Sequence, residues 1–206
     1  MVAEQLRPRG ISDPRILSVF ESIPRHNFVP ESEKEWSYED YPLPIGLNQT
    51  ISQPYIVAFM TERLELTGTE KVFEVGTGSG YQAAILSKLA LEVFTMEIIQ
   101  ELADKAQKIL QDMQIGNVHV YTGDGSLGLP QFSPYDAIIV TAAAPLVPRT
   151  LLDQLSPDGR LIMPVGGRGF QELEYWERKG NAFASTNLIP VAFVPLRGQF
   201  GWGNSW

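Results

Sequence analysis

The chain has 206 residues, 44% of them apolar, a formal net charge of −8 and no cysteine. Such a length and apolar share suit one domain with a packed core, and the missing thiols exclude disulfides, thiolate metal sites and a cysteine nucleophile. The acidic balance argues against a nucleic-acid footprint, and no apolar run approaches the ~20 residues of a membrane-spanning helix.

The polar start, residues 1–10, lacks the apolar centre of a signal peptide, so the chain reads as soluble and cytoplasmic. Asp13 and Pro14 mark a helix start, with Ile16, Val19, Phe20 and Ile23 on one face. Pro24 and Pro30 break the chain, and a stretch punctuated by Pro and Gly follows over 41–55. A second helix carries Ile56, Phe59, Met60 and Leu64.

From residue 71 strand and helix alternate. Residues 71–75 read as a strand, 81–89 as a helix and 91–96 as a strand. Residues 99–113 form an amphipathic helix stopped at Gly116. Strands follow at 118–121 and 135–141, the latter apolar enough to be buried on both faces. Then come a helix at 148–155 and a strand at 160–164. Residues 173–178 and 192–196 read as an antiparallel pair. The pattern predicts an α/β fold, a doubly wound and mostly parallel Rossmann-like sheet with a C-terminal antiparallel strand pair and an N-terminal helical extension. We take 1–206 as one domain, with 1–66 the extension and 67–206 the core.

Parallel sheets of this kind bind ligands at the carboxyl ends of their strands. The first strand runs into Glu74-Val-Gly-Thr-Gly-Ser-Gly80, where glycines permit a sharp turn and close approach of a ligand. Tyr81 replaces the third glycine of the dinucleotide fingerprint, and no Gly-Lys-Ser/Thr of a phosphate-binding loop is present. Glu97 ends the second strand, where an acid can accept both hydroxyls of a ribose. The third strand ends in Gly123-Asp124-Gly125, whose carboxylate can take an adenine amino group. The small residues Thr141-Ala-Ala-Ala-Pro145 follow the fourth strand. Each signal also has a plain structural explanation: a tight turn, a helix-start acid, an Asx turn or close packing. Together they describe a pocket for an adenosine bearing something other than a pyrophosphate. His26 and His119, the only histidines, are too far apart for a conventional zinc site or a Ser-His-Asp triad, and no metal is expected.

The run Val72-Phe-Glu-Val-Gly-Thr-Gly-Ser-Gly80 resembles the first motif of S-adenosylmethionine-dependent methyltransferases. Further blocks are similar to the protein-L-isoaspartate O-methyltransferase family: Arg25-His-Asn-Phe-Val-Pro30, Pro42-Leu-Pro-Ile-Gly46, Gln49-Thr-Ile-Ser-Gln-Pro-Tyr55, Tyr135-Asp-Ala-Ile-Ile-Val-Thr-Ala-Ala143 and Phe193-Val-Pro-Leu196. The resemblance covers nearly the whole chain. It implies methyl transfer from S-adenosylmethionine, leaving S-adenosylhomocysteine, to the free α-carboxylate of L-isoaspartyl residues in damaged proteins and peptides.

By the same resemblance Ser52 supplies the active-site hydroxyl. Ile51, Tyr55, Gly76, Thr77, Gly78, Gly80, Glu97, Asp124, Gly125 and Arg197 fall on the cofactor. Gln49, Thr50, Ser52, Val194, Pro195 and Leu196 fall on the substrate peptide. A monomer without nucleic-acid or membrane partners is expected. Ser52 also precedes Pro54 at a helix start, which makes it a candidate N-cap. Leu47-Asn48 departs from the family pattern of an aromatic or His residue and Gly, and the tail 201–206 has no counterpart there. Other readings remain at this point: a methyltransferase for a small molecule, a dehydrogenase, or a module that only binds adenosyl compounds.

Overall fold

The fold was obtained as a computed structural model that describes residues 1–203, so residues 204–206 of the unmatched tail lie outside the described residues. A capping side chain sets the first α-helix. Asp13 accepts a hydrogen bond from the Arg15 N–H at 2.8 Å, and Pro14 opens α1 (Pro14–Ser22). Its apolar face, Ile16, Leu17, Val19 and Phe20, is buried. A π-helical turn, Val2–Leu6, precedes it and buries both of its end residues. Short 3₁₀ turns, Arg25–Phe28 and Glu31–Trp36, occupy the stretch broken by Pro24 and Pro30.

The segment 41–55 is more ordered than its prolines suggest. It forms a hairpin of β1 (Leu43–Gly46) and β2 (Gln49–Ile51). Leu47 and Asn48 make the turn, with φ of 53° and 58°. Two left-handed residues match the twist of a two-residue hairpin, and without glycine this turn gave no sequence signal. α2 (Pro54–Arg63) follows.

The main sheet has seven strands: β3 (Lys71–Val75), β4 (Glu92–Glu97), β5 (Val118–Thr122), β6 (Tyr135–Val140), β7 (Leu155–Gly167), β8 (Phe170–Lys179) and β9 (Ala182–Val191). Their order is β5-β4-β3-β6-β7-β8-β9, parallel from β5 to β7 and antiparallel from β7 to β9. Helices α3 (Tyr81–Leu86), α4 (Gln100–Asp112) and α5 (Arg149–Leu152) connect the parallel strands. Residues of the N-terminal extension (Leu6, Phe20, Phe28) share one apolar cluster with Tyr81, Ile85 and Leu102 of α3 and α4. The other face of the sheet packs Phe73, Ile138, Leu151 and Leu161. No helix among the described residues is long and apolar enough to cross a membrane.

Four readings of the sequence need correction. The helices at 81–89 and 148–155 are shorter than expected, ending at Leu86 and Leu152. α4 is stopped by Gln114, with φ of 57°, and not by Gly116. The partner of β8 is Ala182–Val191, not 192–196. β9 pairs through its main chain while most of its side chains face solvent, so it lacks the alternation by which a half-buried strand is recognised. The apolar residues 192–196 serve another purpose: they cross the end of β6, where Pro195 bridges Ala143.

Candidate active site

Four strand ends and the β1–β2 hairpin converge on one cleft. Its walls include Ile51, Ser52, Gly76, Thr77, Gly78, Glu97, Gly125, Thr141 and the segment 194–197. The cleft holds about 860 Å³ of space free of protein atoms, its open mouth included.

The glycine loop is shaped by backbone needs. Gly76, Gly78 and Gly80 have φ of 95°, 52° and 87°, a region costly for other residues. A Cβ on Gly76 would collide with Thr141 Oγ1, and that hydroxyl donates to the Gly76 carbonyl at 2.7 Å. Gly80 has a different task. A Cβ there would press on Ala106 of α4 at 3.2 Å, so this glycine allows close packing of α3 on α4. It does not line the cleft.

Glu97, the last residue of β4, is 6% exposed. One carboxylate oxygen accepts from the Gly78 N–H at 2.9 Å and the other from the Ile99 N–H at 3.0 Å. The acid therefore braces the glycine loop, and each oxygen keeps a lone pair for a ligand hydroxyl.

Asp124 departs from the expected arrangement. Its Oδ1 accepts from the Ser126 N–H at 2.9 Å and the Ser126 hydroxyl at 2.6 Å, and its Oδ2 from the Gln199 N–H at 2.7 Å. The carboxylate ties residues 198–200 to the end of β5, and among residues 123–125 only Gly125 reaches the cleft. Tyr55 is also placed elsewhere. The Arg9 guanidinium lies 4.7 Å above its ring, and Phe59 packs at 5.9 Å.

A second, outer cleft adjoins the first. It is lined by Asn48, Gln53, Arg168, residues 190–195 and others, and it shares Gln49, Thr50, Ser52, Thr141, Val194, Pro195 and Arg197 with the inner one. Ser52 thus stands on the wall between them. It is not the N-cap of α2: Gln53 holds that position, without a side-chain hydrogen bond. Among the described residues no partner holds the Ser52 hydroxyl.

The 194–197 segment is fastened to the end of β6. The Ala143 N–H donates to the Val194 carbonyl at 2.8 Å, and the Leu196 N–H donates to the Ala143 carbonyl at 2.7 Å. Gln171 takes both main-chain groups of Phe193.

Sequence reasoning missed Val57, Met60 and Gln82, which also line the inner cleft. They lie on helix faces that read as ordinary core. Gln82 carries the one usable clue, a buried amide, which donates to the Thr61 hydroxyl at 2.9 Å. No cluster of three or more His, Asp or Glu side chains fit to hold a metal ion is found among the described residues.

Comparison with known proteins completes the picture. The model of the protein-L-isoaspartate(D-aspartate) O-methyltransferase family matches residues 1–201. A protein-L-isoaspartate O-methyltransferase of Dictyoglomus thermophilum is 51% identical, over 98% of this chain and 91% of its own length. One of Trichlorobacter lovleyi is 52% identical, over 98% and 94%. Among solved structures, a protein-L-isoaspartate O-methyltransferase superposes with a TM-score of 0.89 at 30% identity, over 97% of this chain and 67% of that one. A Plasmodium falciparum structure in complex with S-adenosyl-L-homocysteine gives 0.83 at 24% identity, over 95% and 96%, and shows the shared fold.

Proposed function

The chain belongs to the protein-L-isoaspartate(D-aspartate) O-methyltransferase family, and from that premise we propose that it methylates the free α-carboxylate of L-isoaspartyl residues in damaged proteins and peptides. The observation that carries this reading is the position of Ser52 on the wall common to the two clefts. One cleft suits an adenosyl donor and the other an extended peptide.

The inner cleft fits S-adenosylmethionine on its own chemistry. Glycines stand where side chains would fill the space, Glu97 has acceptor capacity left for a ribose, and among the described residues no cationic cluster suited to a pyrophosphate lines it. That cofactor supplies a methyl group activated by a positively charged sulfur. Gly76, Thr77, Gly78, Glu97, Gly125, Ile51 and Arg197 would hold it. Asp124 and Gly80 act one step back, Asp124 by tying down residues 198–200 and Gly80 by seating α3 on α4. Tyr55 is left to the packing of the N-terminal extension.

The acceptor needs no general base, because an α-carboxylate with a pKa near ~4 is ionised at neutral pH. Ser52 would donate a hydrogen bond to it and set its direction. The site's remaining work is to hold acceptor and donor in line and to exclude the water that stabilises separated charges. Gln49, Thr50, Val194, Pro195 and Leu196 would flank the peptide. Among the described residues the segment 193–196 has only the Val194 N–H and the Pro195 carbonyl left for main-chain bonds to it. These two groups can bond a peptide main chain without reading its side chains, which suits an enzyme that meets many sequences. The proposal includes a cytoplasmic monomer that takes no nucleic acid, in keeping with the charge of −8.

The test is methyl transfer from radiolabelled S-adenosylmethionine to an isoaspartyl peptide and to its aspartyl twin. Label should enter the first and not the second. Ser52→Ala should lower turnover by about 10- to 100-fold, the worth of one hydrogen bond to a charged group, and leave melting nearly unchanged because Ser52 caps nothing. Equal labelling of both peptides would defeat the assignment.

A further inference from the structure

Among the described residues Arg25 is the only arginine or lysine that is buried, at 0% exposure. It lies in the N-terminal extension, outside both clefts, and no carboxylate pairs with it within salt-bridge distance among those residues. Its Nε–H donates to the Ser37 carbonyl and its Nη2–H to the Ser52 carbonyl, each at 2.7 Å. The guanidinium lies 4.9 Å above the ring of Tyr81, the first residue after the glycine loop. Its Nη1 is buried with no hydrogen-bond partner among the described residues.

Burying a cation without a counter-ion is expensive. An apolar side chain of similar length would fill the space at less cost. What only a guanidinium does there is to join two carbonyls from separate segments in one rigid fork. One of the two belongs to Ser52. Holding that carbonyl restrains the plane of the 52–53 peptide, and with it the direction of the Ser52 Cα–Cβ bond that carries the hydroxyl.

We propose that Arg25 is a positioning residue for the methyl transfer: by holding the Ser52 carbonyl it aims the Ser52 hydroxyl into the wall between the two clefts. This rests on the role given to Ser52 above. Tyr81 holds the other face of the guanidinium, so Arg25 also links the Ser52 turn to the start of α3. Lysine would keep the charge and lose the fork.

The experiment is a double-mutant cycle. Arg25→Lys is made in the wild-type and in the Ser52→Ala background. Turnover and KM on an isoaspartyl peptide, the Kd of S-adenosylhomocysteine by calorimetry, and Tm are read for each. Arg25→Lys should lower kcat about 10- to 100-fold in the wild-type background. It should change the Kd by less than about threefold and cost less than about twofold in kcat once Ser52 is alanine, since coupled residues do not add. An equal loss of kcat in both backgrounds overturns the proposal and leaves the Ser52 reading standing. A Ser52→Ala enzyme with full turnover overturns both.

Should Arg25→Lys fail to fold, an ester in place of the 52–53 amide weakens the Ser52 carbonyl as an acceptor while keeping every side chain. Its kcat should fall with the Kd kept. An unchanged kcat overturns the proposal.

Discussion

Glu74 sits in the middle of β3, fully buried beneath the glycine loop. Burial pushes its carboxyl up to about 8; the Thr95 hydroxyl, donating at 2.6 Å, opposes the rise and the charge of Glu97 adds to it. One carboxyl oxygen has no hydrogen-bond partner among the described residues. Thr95 is in turn 2.6 Å from the hydroxyl of Thr77 on the cleft wall, so the carboxyl reaches the site through two hydroxyls. The consequence for stability has a definite sign. Between its ordinary 4.5 and about 8 the folded protein holds a proton that the unfolded chain has released. Stability therefore falls as pH rises through that window, and the full penalty, on the order of a few kcal/mol, is present above it. Glu74→Gln should melt level with the wild type near the acid end of the window and progressively above it toward the alkaline end, read by scanning calorimetry across the window. Parallel melting curves at all pH values would contradict the assignment. At this scale the sequence revealed residue types better than directions. Glu97 and Ser52 stand out as an acid and a hydroxyl in recognisable settings. Asp124 looks equally exposed to a ligand, and only the fold shows its Oδ1 taken up by Ser126 and its Oδ2 engaged by Gln199. Arg25 gave no sign of being buried, because its partners are carbonyls remote in sequence.

The elements nearest the site owe their ends to backbone conformation. At the end of α4 the Ile115 N–H donates to the Leu110 carbonyl and the Gln114 N–H to the Gln111 carbonyl, both at 2.9 Å. This is the Schellman pattern that glycine normally serves, and here Gln114 occupies the left-handed position. Gln114→Gly should raise stability by about 1 kcal/mol, or roughly 2–4 °C in Tm for a chain of this size, with methyl transfer unchanged. A lower Tm would show that the glutamine side chain makes a compensating contact. The same displacement of the left-handed residue explains why Gly116 was a misleading stop. β3, β4 and β6 were legible because strands buried on both faces are written as short β-branched runs bounded by turn residues. β9 was not, because its place in the sheet depends on pairing with β8 and scarcely on which side chains it carries. The hairpin of β1 and β2 escaped for a related reason: its turn residues, Leu47 and Asn48, adopt a conformation that other sequences entrust to glycine.

Across the whole molecule the charge is uneven in a useful way. The chain carries −8, yet among the described residues the charged ones that line the two clefts are Glu97 in the inner one, Arg168 in the outer one and Arg197 in both. The outer cleft, where an anionic acceptor would arrive, thus carries two arginines and no acid among its described lining residues, in an otherwise acidic protein. The parallel sheet brings the ends of β3, β4 and β6 to one edge, the extension lays the Ser52 turn across them, and residues 194–197 close the side. The central claim is that this assembly sets a carboxylate oxygen facing the donor sulfur across Ser52. Crystals grown with S-adenosylhomocysteine and an isoaspartyl peptide test it most directly. The sulfur should lie in the inner cleft against residues 76–78, with an α-carboxylate oxygen within about 3 Å of the Ser52 hydroxyl. An α-carboxylate bound away from Ser52, or a sulfur outside the inner cleft, would contradict it.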